Sequence, residues 1–207
     1  MSYRNYIFRR AINTRNRKRL NNHTFTLFSN NCNGGCICHD LGLEFRSPFI
    51  NLFINAPDYM KFLRAPKEYL EKPLDFLSIH PENYPVAMLG DVKVHFMHYH
   101  SNEEAESAWQ RRKKRIDWDN LLVLMSDQDG CTDEILREFD TMPYKHKAVF
   151  THVPHPEIAS AVYIPGFEEQ DAVGNCDAFI SKGSGRKYFD AFDYVAWFNS
   201  AKEDHDG

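Results

Sequence analysis

Two short runs with apolar centres, "DNLLVLMS" (119–126) and "KAVFTH" (147–152), flank the capped stretch "TDEILREFDTM" (132–142), which Pro143 stops. A strand that is apolar on both faces must be covered on both faces, and a helix-length crossover makes two such strands parallel neighbours. The same rhythm opens the chain: around Phe25 and Leu27 an apolar strand breaks into Asn30-Asn31-Cys32-Asn33-Gly34-Gly35, and a helix follows to about Gly42. These units predict an α/β fold, a three-layer sandwich on a mainly parallel sheet. Within "YPVAMLGDVKVHFMHYH" (84–100), two extended runs meet at Leu89-Gly90-Asp91-Val92, which predicts an antiparallel hairpin insertion.

Between these units, "SPFINLFIN" (47–55) reads as irregular, and Ala56-Pro57-Asp58 starts a helix that restarts at Pro66 and ends by Pro73. "SNEEAESAWQRRKKRI" (101–116) has a capping box at Ser101 and Glu104, acids in its first turn and bases in its last, as a helix dipole favours. "DFLSIH" and "SAVYIP" read as short strands, and "KYFDAFDYVAWFNSA" (187–201) as one aromatic-rich terminal helix.

With 207 residues and 43% apolar content, the chain can bury a core of its own. We read it as a basic leader (1–21) followed by a single α/β domain (22–207). Arg4, Arg9, Arg10, Arg15, Arg17, Lys18 and Arg19 fall in the first twenty residues, which hold no acid. Removing these seven leaves 18 bases against 29 acids, a charge of 18 − 29 = −11, and an acidic body argues against nucleic acid as the partner. Ile7, Phe8, Ala11 and Ile12 form an apolar stripe among the leader's arginines. A basic segment packed on the acidic body is the plainer reading of that pattern, but it also fits a helix on an anionic membrane surface. The leader is expected to be dispensable for folding and to place the protein at the inner membrane face. Five cysteines without paired C-x-x-C spacing, and no apolar run near the roughly 20 residues that span a bilayer, lead to the expectation of a cytoplasmic protein with reduced thiols.

In a parallel sheet, ligands collect at the carboxyl ends of the strands, so Ser29 to Cys32, Ser126 to Gly130 and Thr151-His152 are expected to share one edge. Gly34 and Gly35 can expose backbone amides at a helix N-terminus as an anion cradle, with Asn30 and Asn31 beside it. The same dipole would make Cys32 a stronger nucleophile, whereas a tight turn is the plainer reading of the glycines, and helix packing that of Cys36 and Cys38. His95 and His98 are candidate general bases. Strand alternation sets His98 and His100 on one face, and a metal pair there lacks a third ligand, so no metal site is assigned. Arg111 and Arg112 offer charge for an anionic ligand on an otherwise solvated face. Asp127 and Asp129 suit a sugar hydroxyl, a divalent cation or a histidine, or serve as turn and cap residues.

The segments "SNNCNGG", "SPFINLFINAPDYMKFL", "LGDVKVHFMHY", "WQRRKKRIDWDNLLVLMSDQDGC" and "FDTMPYKHKAVFT" resemble the bacterial domain-of-unknown-function family nineteen-nineteen, from about residue 22 to about 200. The resemblance implies exopolysaccharide or capsule biosynthesis and an acyltransferase activity. Its pattern takes in Asn30, Asn31, Cys32, Gly34, Gly35, Ser47, His95, His98, Arg111, Arg112, Asp127 and Asp129, and departs at Asn33, Cys36 and Gln128. Capsule enzymes that bind coenzyme A offer an analogy, since they also carry an Asn-Cys turn after their first strand.

The expectation is therefore acyl transfer from a coenzyme A thioester to a sugar hydroxyl. Cys32, His98, His95 and Asp127 form the catalytic set, and Asn30, Asn31, Gly34, Gly35, Arg111 and Arg112 hold the donor. Ser47 and Asp129 contact the sugar or polysaccharide precursor. A metal-dependent glycosyltransferase built on Asp127 and Asp129, and a non-catalytic sugar-binding or scaffolding subunit, are the alternatives.

Overall fold

A computed structural model describes residues 3–203. The chain is a mixed α/β protein. A four-stranded parallel sheet has the order β1 (Thr26–Ser29), β5 (Leu121–Ser126), β6 (His146–Thr151), β7 (Ala161–Tyr163), and a three-stranded antiparallel sheet the order β2 (Asp75–Phe76), β3 (Val86–Leu89), β4 (Val92–His95). Pleating sends alternate residues of β5 to opposite faces. Val123 and Met125 join a core with Phe28, Val149, and Tyr59 and Phe62 of α3 (Ala56–Arg64), Trp109 of α5 (Asn102–Lys113) and Phe139 of α6 (Asp133–Thr141). Leu122 and Leu124 join the other core with Leu27, Phe150, Ile37 of α2 (Asn33–Leu41) and Phe198 of α7 (Tyr194–Glu203). The sheet is thus the middle layer, as its two-sided apolar strands predicted.

The hairpin turns where expected. β3 (Val86–Leu89) and β4 (Val92–His95) pair antiparallel around Gly90, whose φ of 67° is a conformation glycine adopts at little cost. β2 (Asp75–Phe76) pairs with β3 and follows α4 (Pro66–Glu71). The irregular segment 50–55 joins the two sheets: Phe53 bridges His95, and the amide of Ile54 donates to the carbonyl of Asn30 at 2.8 Å. Ser101 and Thr132 cap α5 and α6, their hydroxyls accepting from the amides of Glu104 (3.2 Å) and Ile135 (3.4 Å). The stretch 187–201 is not one helix. A 3₁₀ turn at Tyr188–Ala191 stops, and Asp193 restarts the chain as α7 by accepting from the amide of Ala196 at 3.1 Å.

The leader is helix α1 (Tyr3–Arg19), and it packs with its polar side inward: Asn5, Arg9 and Asn16 are its buried positions. The Arg9 side chain, 5% exposed, reaches Asp40 of α2 at 2.8 Å and Asp190 at 2.5 Å. Lys187 reaches the same Asp40 oxygen at 2.8 Å and Asp177 at 2.6 Å. Burial opposes the charge on Asp40, yet the bonds and charges of Lys187 and Arg9 outweigh it and hold the carboxyl below its ordinary range. A leader that can be removed without harm does not fit this arrangement, because its removal strips Asp40 and Asp190 of their guanidinium.

Candidate active site

The three expected segments meet at the carboxyl edge of the parallel sheet. Asn31, just past β1, sends its Nδ2 to Ser126 Oγ (2.6 Å) and Gln128 Oε1 (2.9 Å), while its Oδ1 accepts from the amide of Asn33 (3.0 Å) and so caps α2. Asn30 Oδ1 accepts from the amide of Ser126 at 3.0 Å. Gln128 Nε2 donates to the carbonyls of Val173 (2.6 Å) and Gly174 (3.2 Å), drawing a distant loop over the edge.

At the centre stands Asp127, its side chain 5% exposed. Its Oδ1 accepts from the amide of Val173 at 2.7 Å, and its Oδ2 accepts from the amide of His152 at 2.8 Å and meets the ring Nδ1 of His152 at 2.5 Å. A carboxylate can only accept, so the Nδ1 contact places the proton of a neutral imidazole there and leaves a lone pair on Nε2. The His152 side chain is 21% exposed, enough to meet a substrate. An oriented imidazole with a free nitrogen is the arrangement of a general base and its positioning partner. Two buried polar atoms lie at the same edge without a hydrogen-bond partner among the described residues, Asn30 Nδ2 and Thr151 Oγ1. Each such atom costs about 1–3 kcal/mol where no water reaches it.

The expected nucleophile is differently placed. Cys32 is half-buried and its Sγ points to the carbonyl of Leu52 at 3.8 Å. Burial, and then the negative charge of Asp177, push its thiol up. This placement lends no support to the dipole-activated thiolate expected from the strand-to-helix turn, since desolvation opposes the charged form. Cys36, Cys38, Cys131 and Cys176 are likewise pushed up to about 12, chiefly by burial.

The anion cradle is also filled from within. The amide of Asn33 belongs to Asn31 Oδ1, and that of Gly34 donates to Ser29 Oγ at 3.4 Å. Gly34 has a packing reason: a Cβ there would sit 2.8 Å from Ser29 Cβ, so the glycine lets α2 lie against β1. Arg112 bonds the hydroxyl of Tyr99 and covers the Phe45 ring at 5.5 Å, and Arg111 is exposed near the end of α5. This turn and these arginines do not fit the pyrophosphate of coenzyme A. Ser47 Oγ accepts from the amide of Phe49 at 3.2 Å and is buried in its own turn.

His95 and His98 come from other elements, and His95 is tied to this edge through Phe53, the neighbour of Ile54, which bonds Asn30. His95 belongs to the antiparallel sheet, stacked on Phe53 with ring centroids 4.3 Å apart, and burial with the charge of Lys93 pushes its imidazole down. β4 ends at His95, so strand alternation does not reach His98, which is exposed on the following turn. Asp129 is exposed on a turn with φ 54°, its carbonyl accepting from the amide of Ala56. With Asp127 committed to His152, the paired-carboxylate metal site loses its first ligand. Among the described residues no cluster of three or more His, Cys, Asp or Glu is arranged to hold a metal.

His152 was readable as an edge residue but not as the base. The signal was available in the two buried parallel strands, which end side by side with Asp127 on one and His152 on the other. A groove of about 570 Å³ beside α2 does not include this pair. It lies between α1, α2 and the 177–187 segment, lined by Tyr6, Arg10, Cys36, Phe45 and Phe179 among others.

Fold and site together define an α/β protein with a buried Asp127 paired to a partly exposed His152 at the carboxyl edge of a parallel sheet. The chain belongs to the family described as Domain of unknown function (DUF1919), whose profile matches residues 3–199. That match takes in α1, so the family likeness begins well before residue 22. The chain is similar to a protein of Haemophilus influenzae strain Rd described as uncharacterized, 45% identical over 190 residues, which cover 92% of this chain and 91% of the relative.

Proposed function

We propose that this chain is an enzyme of surface-polysaccharide assembly that moves an acyl group from a thioester, with coenzyme A as the expected carrier, to a sugar hydroxyl. The observation that carries the reading is the His152 ring, fixed through Nδ1 by Asp127 on a side chain that stays 21% exposed. Nε2 takes the proton of the sugar hydroxyl as that oxygen bonds to the thioester carbonyl carbon. The carbon–sulfur bond then breaks, and the proton passes to the departing sulfur. The raised thiol of Cys32 supports direct transfer over a covalent cysteine intermediate. The cradle at Gly34, its amides already partnered, lends no support to a coenzyme A site there.

The test is incubation of the full chain with acetyl coenzyme A and a panel of sugars, reading thiol release and the mass of acetylated product, for the parent, His152→Gln and Cys32→Ala. The reading expects product with the parent and Cys32→Ala, and loss of product with His152→Gln. Product from His152→Gln at the parent rate overturns the base assignment. Sugar binding by calorimetry without any turnover across the panel favours the non-catalytic subunit instead.

A further inference from the structure

A helix packed on a protein body turns apolar residues inward and polar ones to solvent. α1 does the reverse. Its buried positions are Asn5, Arg9 and Asn16, while Tyr3 is 79%, Tyr6 52%, Ile7 51% and Phe8 43% exposed. At 3.6 residues per turn, Tyr3, Ile7, Ala11 and Lys18 run along the outward stripe, with Arg4 and Arg15 on one flank and Arg10 on the other. All seven are exposed, and no acid lies between Tyr3 and Arg19. Of the bases in this helix, Arg9 is spent on Asp40 and Asp190, Arg17 on the Asp40 carbonyl and Arg19 on Asp193. Among the described residues no ion pair holds Arg4, Arg10, Arg15 or Lys18, which leaves them for a partner outside.

We infer that this outward face of α1 docks on an anionic lipid surface. Charge complementarity selects the occupant: apolar and aromatic side chains interleaved with cations on one stripe match the acyl–headgroup boundary of a negatively charged leaflet. The buried Arg9 seam supports the same conclusion, because it holds the helix on the body and so presents the face already ordered, with no folding cost on contact. No helix among the described residues is long and apolar enough to cross a membrane, so the contact is a surface one. The orientation has a geometric consequence. Tyr6 and Arg10 also line the 570 Å³ groove, which therefore opens beside the lipid. The inference does not depend on the acyl-transfer reading.

The test is sedimentation of the full chain with vesicles of phosphatidylcholine alone and with added phosphatidylglycerol, at about 0.1 M and about 1 M salt, where the Debye length falls from ~10 to ~3 Å. Binding is expected only with the anionic lipid, and high salt is expected to release it. Arg4→Gln with Arg15→Gln should weaken partitioning about 25-fold, on roughly fivefold per base. Ile7→Ser should weaken it with the salt dependence kept, and Arg137→Gln, on the exposed face of α6, should leave it unchanged. Circular dichroism of each variant checks that α1 remains packed. Equal binding to neutral vesicles, or binding unchanged in the double variant, overturns the inference. So does a dimer in analytical ultracentrifugation that Ile7→Ser converts to monomer, which would give the face to a second copy.

Discussion

The seam beneath α1 and the edge above β5 each bury a carboxylate against basic groups, yet they end in different states. At the seam, Asp40 meets Arg9 and Lys187 within 2.8 Å and also accepts from Asn13 Nδ2 at 3.2 Å, while Asp190 and Asp177 take the remaining cationic contacts. Every formal charge has an opposite beside it. At the edge, Asp127 has one titratable partner, His152, whose side chain stays 21% exposed. Closed sets of charge hold structure together, and a set with one valence left over is where proton chemistry can take place. Buried charge alone therefore does not mark a site. What separates the two regions is whether the set of charges is closed.

The strongest way to break the seam is Arg9→Ala, which leaves two buried carboxylates short of a cation. It should lower unfolding stability by about 3–5 kcal/mol in urea. Arg64→Ala, at the exposed pair with Glu138, should cost no more than about 1 kcal/mol. If the two variants matched, the seam would be no more structural than a surface contact.

At the edge, the corresponding change is Asp127→Asn, which keeps the shape but presents an amide to Nδ1. Turnover should fall about 10²–10⁴-fold, read in the sugar acylation assay, with a stability loss of about 1–3 kcal/mol at most. A loss of stability with turnover intact would turn the edge into a second seam.

Acid distinguishes the regions more gently. Because Asp40 is held below its ordinary value of 3.8 in the folded chain, the unfolded chain binds protons first as the pH drops. The seam's contribution is therefore full above about 3.8 and is lost as pH falls from there through the lower folded value. Asp40→Asn should flatten that part of the stability curve. His95 acts at higher pH by the same sign: its imidazole is depressed below 6.5, so its contribution is present above 6.5 and declines as pH falls through the folded value. His95→Gln should remove that decline.

The smallest effect is one the two regions share. Asp177 at the seam raises Cys36, and Asp127 at the edge raises Cys131 and Cys176, on top of burial. Iodoacetamide at neutral pH should label none of the five cysteines quickly until the chain unfolds, as measured by mass spectrometry. Rapid, selective labelling of Cys32 would restore the nucleophile.

The parts of the fold visible in the sequence were those decided locally. The Gly90-Asp91 turn, the caps at Ser101 and Thr132 and the two-sided strands around Leu122 and Val149 each depend on residues a few positions apart. The convergence of β1, β5 and β6 at one edge was also legible, since parallel order fixes which ends meet. The partners across that edge were not. Asp127 and His152 are 25 residues apart and meet only because β5 and β6 pair in one register. Arg9 finds Asp40 and Asp190 at separations of 31 and 181, so no window on α1 could show that its arginine, and not its isoleucine, turns inward. His98 was misplaced for a local reason: the strand stops three residues earlier, where Phe96 turns off to bond Pro85 and Tyr99. The break before α7 did have a signal, since Asp193 precedes an apolar run as an N-cap does.

The strand order has a consequence for the chain as it is made. β1 emerges early, yet its parallel neighbour β5 comes much later: Asn31 and Ser126, which join their ends, are 95 residues apart. At about 5–20 residues per second, synthesis leaves "TLFS" without its strand partner for roughly 5–20 s. The β3–β4 hairpin, by contrast, can close in about 1–10 μs once its turn has emerged. The first apolar strand of the sheet therefore waits through the whole inserted layer. The expected vulnerability of this protein is in the ribosome-bound half-chain, where a chaperone that shields Phe25 to Ser29 would raise the yield more than any change made to the finished molecule.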